Sequence, residues 1–176
     1  MDAITFKRIE TIHPKIREEL KALYTKANNK LGKGVRLRFA YTFRSFAEQD
    51  ALYAQGRTAK GSIVTNAKGG QSIHNYGLAF DIVILYDNDG DGNFEEASWD
   101  VKRDGDKNGI ADWAEVTAVF TAAGYTNGFI KNGKRWDLPH FQKDFSYTWQ
   151  QLEAKVKKGE VIKENINGIT YIYPKI

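Results

Sequence analysis

The chain has 176 residues, about the length of one domain, with 41% hydrophobic residues, 27% charged residues and a formal net charge of +4 at pH 7. This composition is typical of a globular domain that buries its own core, and it excludes a disordered, collagen-like or coiled-coil protein. The absence of cysteine excludes disulfides, thiol nucleophiles and cysteine-based zinc sites. We therefore expect residues 1–176 to form a single domain.

Little in the sequence indicates a membrane or nucleic-acid partner. Its first residues, MDAITFKRIETIH, lack the apolar stretch of a signal peptide. No run approaches the roughly 18 apolar residues of a membrane span, so we expect no membrane insertion. The basic excess is mild, and nucleic acid is only one of several anionic partners that it could attract. We expect a monomer that binds no nucleic acid.

The first third of the chain has clear periodicity. Apolar residues recur at steps of three and four over residues 14–31, which predicts an amphipathic helix. Residues 35–41 alternate apolar and polar, which predicts a half-buried strand. Ser45 is followed three residues later by Glu48, the pattern of a capping box, so a second helix is expected over residues 45–56.

A long loop and a buried strand follow. Residues 57–72 are rich in turn formers and have no sustained period, and long loops in compact domains are often functional. Residues 79–86 (AFDIVILY) form a nearly continuous apolar run, which predicts a central strand buried on both faces. The only charge in this run is Asp81, and a buried charge needs a partner.

The last third predicts two helices and a hairpin. A helix capped by Asp112 is expected over residues 112–123, and a further helix over residues 146–158. Two short β-like runs over residues 161–173 flank Asn167-Gly168, a dipeptide that favours a tight hairpin turn.

Histidine is scarce in this sequence, with His13, His74 and His140 its only three copies. His74 lies where the long loop ends, seven residues before Asp81, and His140 lies in a segment that also contains Asp137. If the fold brings these segments together, two imidazoles and one carboxylate form the three-ligand set that leaves a fourth zinc position open for water. Asp137 is then free to act as a base.

On residue types alone, a histidine or an aspartate near a strand end is more often a hydrogen-bonded structural residue. The pattern Ser-x-His-x-x-Gly-x-Ala-x-Asp of residues 72–81, followed by Asp-x-Pro-His-Phe-Gln at 137–142, resembles the LAS-type zinc peptidases. This is the D-alanyl-D-alanine carboxypeptidase and L-alanyl-D-glutamate endopeptidase family, which cuts the peptide part of bacterial cell walls. Residues 41–58 resemble the strand-to-helix segment that precedes the motif in that family, and the chain from Phe145 onward resembles its closing helix and short tail.

The resemblance implies a role for each residue that matches the motif. His74, Asp81 and His140 are expected to bind Zn²⁺, and Asp137 is expected to act as general base and acid where many relatives carry Glu. Arg44 matches the arginine that faces the scissile carbonyl in the family, and its permanent charge suits an oxyanion. The alternative for Arg44 is a solvated arginine at a strand end.

Three further residues are expected to contact substrate. Ser72 orients the loop or the substrate and is not expected to be a nucleophile, because no free His-Asp pair remains to activate it. Gln49 and Arg57 are the other two candidates for substrate contact.

The residues from 104 to 115 match a calcium-binding loop. This twelve-residue stretch has oxygen-bearing side chains at positions 1, 3, 5, 9 and 12 and glycine at position 6, which is the EF-hand pattern. The oxygen-bearing residues are Asp104, Asp106, Asn108, Asp112 and Glu115. No convincing helix precedes Asp104, so the alternative is a solvated acidic turn.

An upstream stretch matches the same pattern less completely. Asp87, Asp89 and Asp91 occupy positions 1, 3 and 5, but position 12 is Ser98, which cannot supply a bidentate carboxylate. We expect this loop to bind weakly, to share an ion with the downstream loop or to be only an acidic turn. Together the two loops predict a Ca²⁺-binding insertion over residues 87–115.

These observations predict an α+β domain in which a small antiparallel sheet carries the zinc ligands, helices flank the sheet, residues 87–115 form a calcium-loop insertion and residues 159–176 form a short β tail. The expected activity is zinc-dependent hydrolysis of the peptidoglycan peptide stem at an L-alanyl-D-glutamate bond. The alternatives are a D-alanyl-D-alanine carboxypeptidase, a non-catalytic wall-binding module and a calcium sensor. The expected place of action is the cell wall, reached either by phage lysis or as a chain whose leader is missing.

Overall fold

An antiparallel sheet is the framework on which the other elements are arranged. The structure, a computed structural model, describes residues 2–132 and 134–176, and within them five strands form this sheet. The strands are β1 (Val35–Tyr41), β2 (Ala79–Tyr86), β3 (Glu96–Ser98), β4 (Thr126–Lys131) and β5 (Lys134–Gln142). Their order is β1-β2-β5-β4, and β3 pairs with the end of β2 that β5 leaves open.

Helices and a hairpin surround this sheet. The helices are α1 (Ala3–Ile9), α2 (Pro14–Asn28), α3 (Phe46–Ala54), α4 (Asp112–Ala122) and α5 (Trp149–Lys157), with a 3₁₀ turn at Ile73–Tyr76. The hairpin consists of β6 (Val161–Ile166) and β7 (Ile169–Pro174). The expected α+β class, with a small antiparallel sheet flanked by helices, is confirmed.

The core lies on one face of the sheet, and its centre is aromatic. Phe80 of β2 stacks on Phe39 of β1 with ring centroids 4.3 Å apart and on Phe141 of β5 at 5.4 Å. Phe120 of α4 packs edge-on against Phe80 at 5.0 Å. Because successive strand residues point to opposite faces, the neighbours of Phe80 and Phe141 along the chain point away from this core. Those neighbours include Asp81 and His140.

Several elements follow the sequence prediction closely. β1 and β2 have the expected bounds, and β2 is buried along nearly all of its length. Ser45 and Glu48 form the expected capping box at the start of α3. Asn167 and Gly168 both have positive φ, at 52° and 83°, as the tight turn between β6 and β7 requires.

Other elements differ from the prediction. α2 ends at Asn28, three residues early, and α5 begins at Trp149 because Thr148 supplies its capping side chain. The N-cap of α4 is Ala111, so Asp112 is the first helical residue and does not cap the helix as expected. α1, β3, β4 and β5 have no counterpart among the predicted elements: the first three are short, and β5 contains Pro139 and lacks a sustained alternation of apolar and polar residues. No helix in the described part of the chain is long and apolar enough to cross a membrane.

Candidate active site

Three side chains from two distant segments of the sequence converge near the start of β2. The pairing of β2 with β5 places Asp81 directly opposite His140, and the 3₁₀ turn before β2 carries His74. His74 Nε2 lies 3.1 Å from His140 Nδ1, and Asp81 Oδ1 lies 3.3 Å from each of these nitrogens. We call His74, Asp81 and His140 the histidine–aspartate group. The structure therefore brings together the three residues that the sequence predicts as metal ligands.

The 3₁₀ turn is held from two sides, which fixes the position of His74. Its Nδ1 lies 2.7 Å from the carbonyl oxygen of Thr42, in the segment after β1. The turn ends at Gly77 with φ of 69°, and a Cβ there would lie 2.8 Å from the backbone nitrogen of His13 and 3.0 Å from the ring of Tyr173. Only glycine fits both this backbone conformation and this close approach.

The hydrogen bonds of the two histidines determine where their protons lie. A carbonyl oxygen only accepts, so the Thr42 carbonyl requires a proton on Nδ1 of His74 and leaves Nε2 unprotonated in the neutral ring. His140 Nε2 lies 2.9 Å from Gln142 Oε1, which places the proton of His140 on Nε2 and leaves Nδ1 unprotonated. The two unprotonated nitrogens therefore face each other and Asp81.

This donor set fits a zinc ion. Zinc bonds of about 2.0–2.2 Å in a tetrahedron imply ligand atoms about 3.3 Å apart, and the three edges of the group measure 3.1, 3.3 and 3.3 Å. Two nitrogen lone pairs and a carboxylate repel one another at such distances unless a cation or a proton lies among them. Neutral imidazoles anchored through their other nitrogen are the usual form of histidine in metal sites.

The charges within the group shift the acidities of its members. Burial alone would raise the pKa of Asp81, but the two histidines outweigh it and hold the pKa of this carboxyl well below its usual range. Burial opposes protonation of His140, yet the hydrogen bond and charge of Asp81 raise the pKa of His140 above its ordinary value. Asp81 is therefore an ionised carboxylate at neutral pH.

Asp137 lies on the wall of the same cleft, in β5. Its φ is 54°, an uncommon conformation for a residue other than glycine. Although the side chain reaches solvent, partial desolvation of its carboxyl, followed by the charge of Asp81, raises the pKa of Asp137. A carboxylate whose pKa is raised is better suited to accept and release a proton near neutral pH.

Arg44 follows β1 and lines the same cleft. Its side chain is 14% exposed, and Nη2 lies 3.8 Å from Asp81 Oδ2. Nη1 donates to Gln49 Oε1 at 2.8 Å, and the guanidinium carbon lies 5.5 Å from the centre of the Tyr41 ring. Arg44 is therefore a held cation at the edge of the histidine–aspartate group and not a freely solvated arginine.

The structure places two of the three predicted substrate contacts against the long loop. Gln49 is fully buried behind Arg44, and its Nε2 donates to the carbonyl of Ala67 at 2.8 Å, so it cannot touch substrate. Arg57 donates to Thr65 and Asn66 in the long loop and is not among the described residues that line the cleft. Both residues anchor the loop instead. Ser72 does line the cleft, as expected for a residue near substrate.

The cleft around the group has a volume of about 1450 Å³. Ile63 and Val64 of the long loop lie on its wall and are more than half exposed, as is Trp136 of β5. Phe129 of β4 stacks on the His140 ring with centroids 4.8 Å apart. No sequence pattern singles out these apolar residues, because only the folded sheet and loop bring them to one cleft.

The downstream acidic loop gathers part of its predicted ligand set. Asp104, Asp106 and Asp112 each offer a carboxylate oxygen, and these oxygens lie within 4.8 Å of one another. The predicted ligands Asn108 and Glu115 lie close to each other, with Asn108 Nδ2 donating to Glu115 Oε2 at 3.2 Å. Glu115 is not a member of the carboxylate group.

Asp112 differs from the other acidic side chains of these loops because it is fully buried. Its Oδ2 accepts hydrogen bonds from the Tyr86 hydroxyl at 2.7 Å and from the Gly105 nitrogen at 2.8 Å. Its Oδ1 is also buried and has no hydrogen-bond partner within the described part of the chain. A buried, unpartnered carboxylate oxygen costs free energy unless a cation or water satisfies it.

The upstream acidic loop differs from the prediction in one residue. Asp87, Asp89 and Glu95 form its group of nearby carboxylates, and the predicted Asp91 lies outside that group. The Asp91 carboxylate accepts instead from the backbone and side chain of Asn93. Glu95 occupies position 9 of the same twelve-residue pattern, so the loop spacing could have identified it.

Comparison with known proteins agrees with this geometry. Residues 9–132 match the VanY family, described as D-alanyl-D-alanine carboxypeptidase. The chain is 43% identical over 132 residues to the peptidoglycan L-alanyl-D-glutamate endopeptidase CwlK of Bacillus subtilis (strain 168), a match that covers 74% of this chain and 72% of CwlK. The family match contains Arg44, His74 and Asp81 but ends before Asp137 and His140. The chain belongs to the VanY D-alanyl-D-alanine carboxypeptidase family of peptidases.

Proposed function

We propose that this chain is a zinc-dependent peptidase that hydrolyses the peptide stem of bacterial peptidoglycan at the L-alanyl-D-glutamate bond. One observation carries the proposal: two unprotonated imidazole nitrogens and a carboxylate oxygen meet at 3.1–3.3 Å at one end of the cleft. The similarity to CwlK supports the choice of bond. We further propose that the whole chain forms one peptidase domain, acts as a monomer and works at the cell wall.

In the proposed mechanism, His74, Asp81 and His140 hold the zinc ion. Bound zinc supplies a Lewis acid and lowers the pKa of a water molecule towards neutrality. Asp137 accepts the proton of the attacking water and returns it to the leaving amine, a role that suits a carboxylate in the cleft outside the histidine–aspartate group. The guanidinium of Arg44 donates to the oxygen of the scissile carbonyl as negative charge develops there.

The family description favours a second candidate bond, D-alanyl-D-alanine. The two activities differ in what they release: a carboxypeptidase frees D-alanine from the end of the stem, whereas an L-alanyl-D-glutamate endopeptidase cuts within it. A non-catalytic wall-binding module is disfavoured, because binding alone requires neither Asp137 nor the buried anchoring of Arg44.

Digestion of purified peptidoglycan, followed by mass spectrometry of the products, tests the function. We expect fragments with a new D-glutamate amino terminus, loss of activity with a zinc chelator and recovery on adding zinc. Release of free D-alanine without such fragments would assign the carboxypeptidase. No cleavage by protein that carries one zinc per chain would overturn the proposed peptidase.

We also propose that the insertion over residues 87–115 binds Ca²⁺. The group of Asp104, Asp106 and Asp112 provides hard oxygen ligands in a loop whose spacing matches the EF-hand pattern. The unpartnered Oδ1 of Asp112 is a second, independent sign that a cation completes this site. The upstream group with Asp87 and Asp89 lies in exposed turns and is the weaker candidate.

A further inference from the structure

Three polar side chains, His140, Gln142 and Asp144, form a series of hydrogen bonds along β5 and beyond its end. We call this series the relay. His140, Gln142 and Asp144 lie at alternate positions along the chain, so the first two share a face of the strand. His140 Nε2 lies 2.9 Å from Gln142 Oε1, and Gln142 Nε2 donates to Asp144 Oδ2 at 2.7 Å. All three side chains line the cleft. Asp144 has no part in the mechanism proposed above.

The direction of the hydrogen bonds in the relay follows from which groups can donate and which can only accept. An ionised aspartate only accepts hydrogen bonds, so Asp144 must face the NH₂ group of the Gln142 amide. The oxygen of that amide then faces His140, and an amide oxygen also only accepts. The proton of the neutral His140 ring must therefore lie on Nε2, and the unprotonated nitrogen is Nδ1, which faces His74 and Asp81.

Asp144 is itself held by the turn that follows it. Its Oδ1 accepts from the backbone nitrogen of Ser146 at 2.9 Å, and the Tyr147 nitrogen donates to its carbonyl at 2.9 Å. Phe145 and Ser146 both have positive φ, at 53° and 65°. Two consecutive non-glycine residues in this conformation persist only when the surroundings hold them, and such strain clusters at functional sites.

We propose that Asp144 is a positioning residue that determines, through the Gln142 amide, which nitrogen of His140 is offered to the metal. This inference rests on the zinc site of the proposed function and adds to it a carboxylate two hydrogen bonds away. The Thr42 carbonyl performs the same task for His74 through the backbone alone.

The substitution Asp144→Asn tests the proposal with almost no change of shape. If the introduced asparagine keeps its side-chain oxygen on the Ser146 nitrogen, its NH₂ group faces Gln142, whose amide must then turn its own NH₂ group towards His140. The reversed amide favours the proton on Nδ1, where it blocks metal binding. We expect zinc affinity, measured by competition with a chelator, to fall about 10- to 100-fold.

Gln142→Met separates this effect from the loss of charge. It removes the amide but keeps the Asp144 carboxylate, so reduced zinc affinity in this variant comes from losing the relay. Asp50→Asn is the matched control for charge, because Asp50 also accepts from a backbone nitrogen, that of Gly69 at 2.7 Å, but on another loop. We expect this control to bind zinc like the unmodified protein.

Nitrogen-15 NMR of the histidine rings in the zinc-loaded proteins gives a readout independent of affinity. We expect His140 to bind through Nδ1 in the unmodified protein and that signal to be lost or replaced in Asp144→Asn. Zinc affinity within twofold of the unmodified protein in Asp144→Asn, with His140 still bound through Nδ1, would overturn the relay. An unmodified protein that binds no zinc would instead overturn the proposed function on which the relay rests.

Discussion

The histidine–aspartate group and the acidic insertion over residues 87–115 both bring together side chains that can bind a metal ion. They differ in how far apart their members lie along the sequence. His74 and His140 are 66 residues apart and meet only through the sheet, and each ring is fixed by a hydrogen bond on its far side. The acidic groups come from short loops, and most of their carboxylates accept from nitrogens of the same loop, as Asp104 does from Gly109.

This difference has a physical consequence for binding. A site whose side chains are already ordered loses little entropy when it binds, whereas an exposed loop must order several side chains at that moment. The carboxylates of the acidic loops can also be satisfied without an ion, because backbone nitrogens already donate to them. Among the described acidic groups Asp112 is the exception, because its buried Oδ1 has no hydrogen-bond partner although its Oδ2 accepts from the Gly105 nitrogen. We therefore expect substitutions in the histidine–aspartate group to have large effects on zinc binding and activity, and substitutions in the acidic insertion to have smaller effects.

Removing an imidazole should have the largest effect. His74→Ala and His140→Ala are each expected to abolish hydrolysis and to lower bound zinc, since two ligands cannot hold the ion as three do. Metal analysis of the purified variants measures this directly. His13→Gln is the control: His13 is also buried, but its Nε2 bonds the Pro174 carbonyl, so zinc content should not change. Near-stoichiometric zinc in both alanine variants would remove these histidines from the ligand set.

Asp137→Asn should separate catalysis from metal binding. Asparagine tolerates the positive φ of this position but cannot accept a proton as a base. We expect zinc content close to that of the unmodified protein and turnover lowered by about 10² to 10⁴-fold. Turnover within a few-fold of the unmodified protein would show that Asp137 is not the general base.

Arg44→Ala should lower turnover by about 10² to 10³-fold, and Arg44→Lys should restore only part of it. Lysine lacks the planar fork that binds Gln49 and reaches towards Asp81 at the same time. Steady-state kinetics on a defined stem peptide distinguishes the outcomes. Equal kcat for lysine and arginine would contradict the geometric part of this role, and a change in KM alone would indicate uniform binding of substrate and transition state.

Calcium should have the smallest effect, and we expect that effect on thermal stability before any effect on activity. An ion at a hundredfold its Kd stabilises the form that binds it by about 2.7 kcal/mol, which for a chain of this size raises Tm by about 5 to 11 °C. Asp104→Ala and Asp106→Ala, which each remove a member of the downstream carboxylate group, are expected to reduce this rise and to leave zinc content unchanged. Asp91→Ala is the control, because Asp91 lies outside both carboxylate groups. No heat and no Tm shift at millimolar calcium would show that the insertion is an acidic turn only.

The sequence could single out the members of the histidine–aspartate group because their local surroundings carry strong signals. Asp81 is the only charge in the apolar run of β2, and the capping pattern at Ser45 fixes where α3 follows Arg44. The sequence could not predict the register of β2 against β5, which places Asp81 opposite His140, because the two strands pair over only three residues and no turn joins them directly.

Gln49 shows the same limit of prediction from sequence, because its surroundings also depend on contacts between distant segments. Gln49 has the polar side chain expected of a substrate contact, but the long loop returns over α3 and buries it. No periodicity in residues 57–72 indicates this return, because the loop is held by hydrogen bonds between single side chains and distant carbonyls. Likewise, nothing in the spacing of Gln142 and Asp144 shows that their amide and carboxylate bond each other.

The contact of Gly77 with Tyr173 has a consequence for how the protein is made. Every ligand of the histidine–aspartate group has been translated once the ribosome has passed His140, but the strand that supports the turn of His74, β7, is translated later. A growing chain therefore holds His74, Asp81 and His140 before it holds the strand that packs against the turn of His74. That turn reaches its final packing only after the hairpin of β6 and β7 has been synthesised.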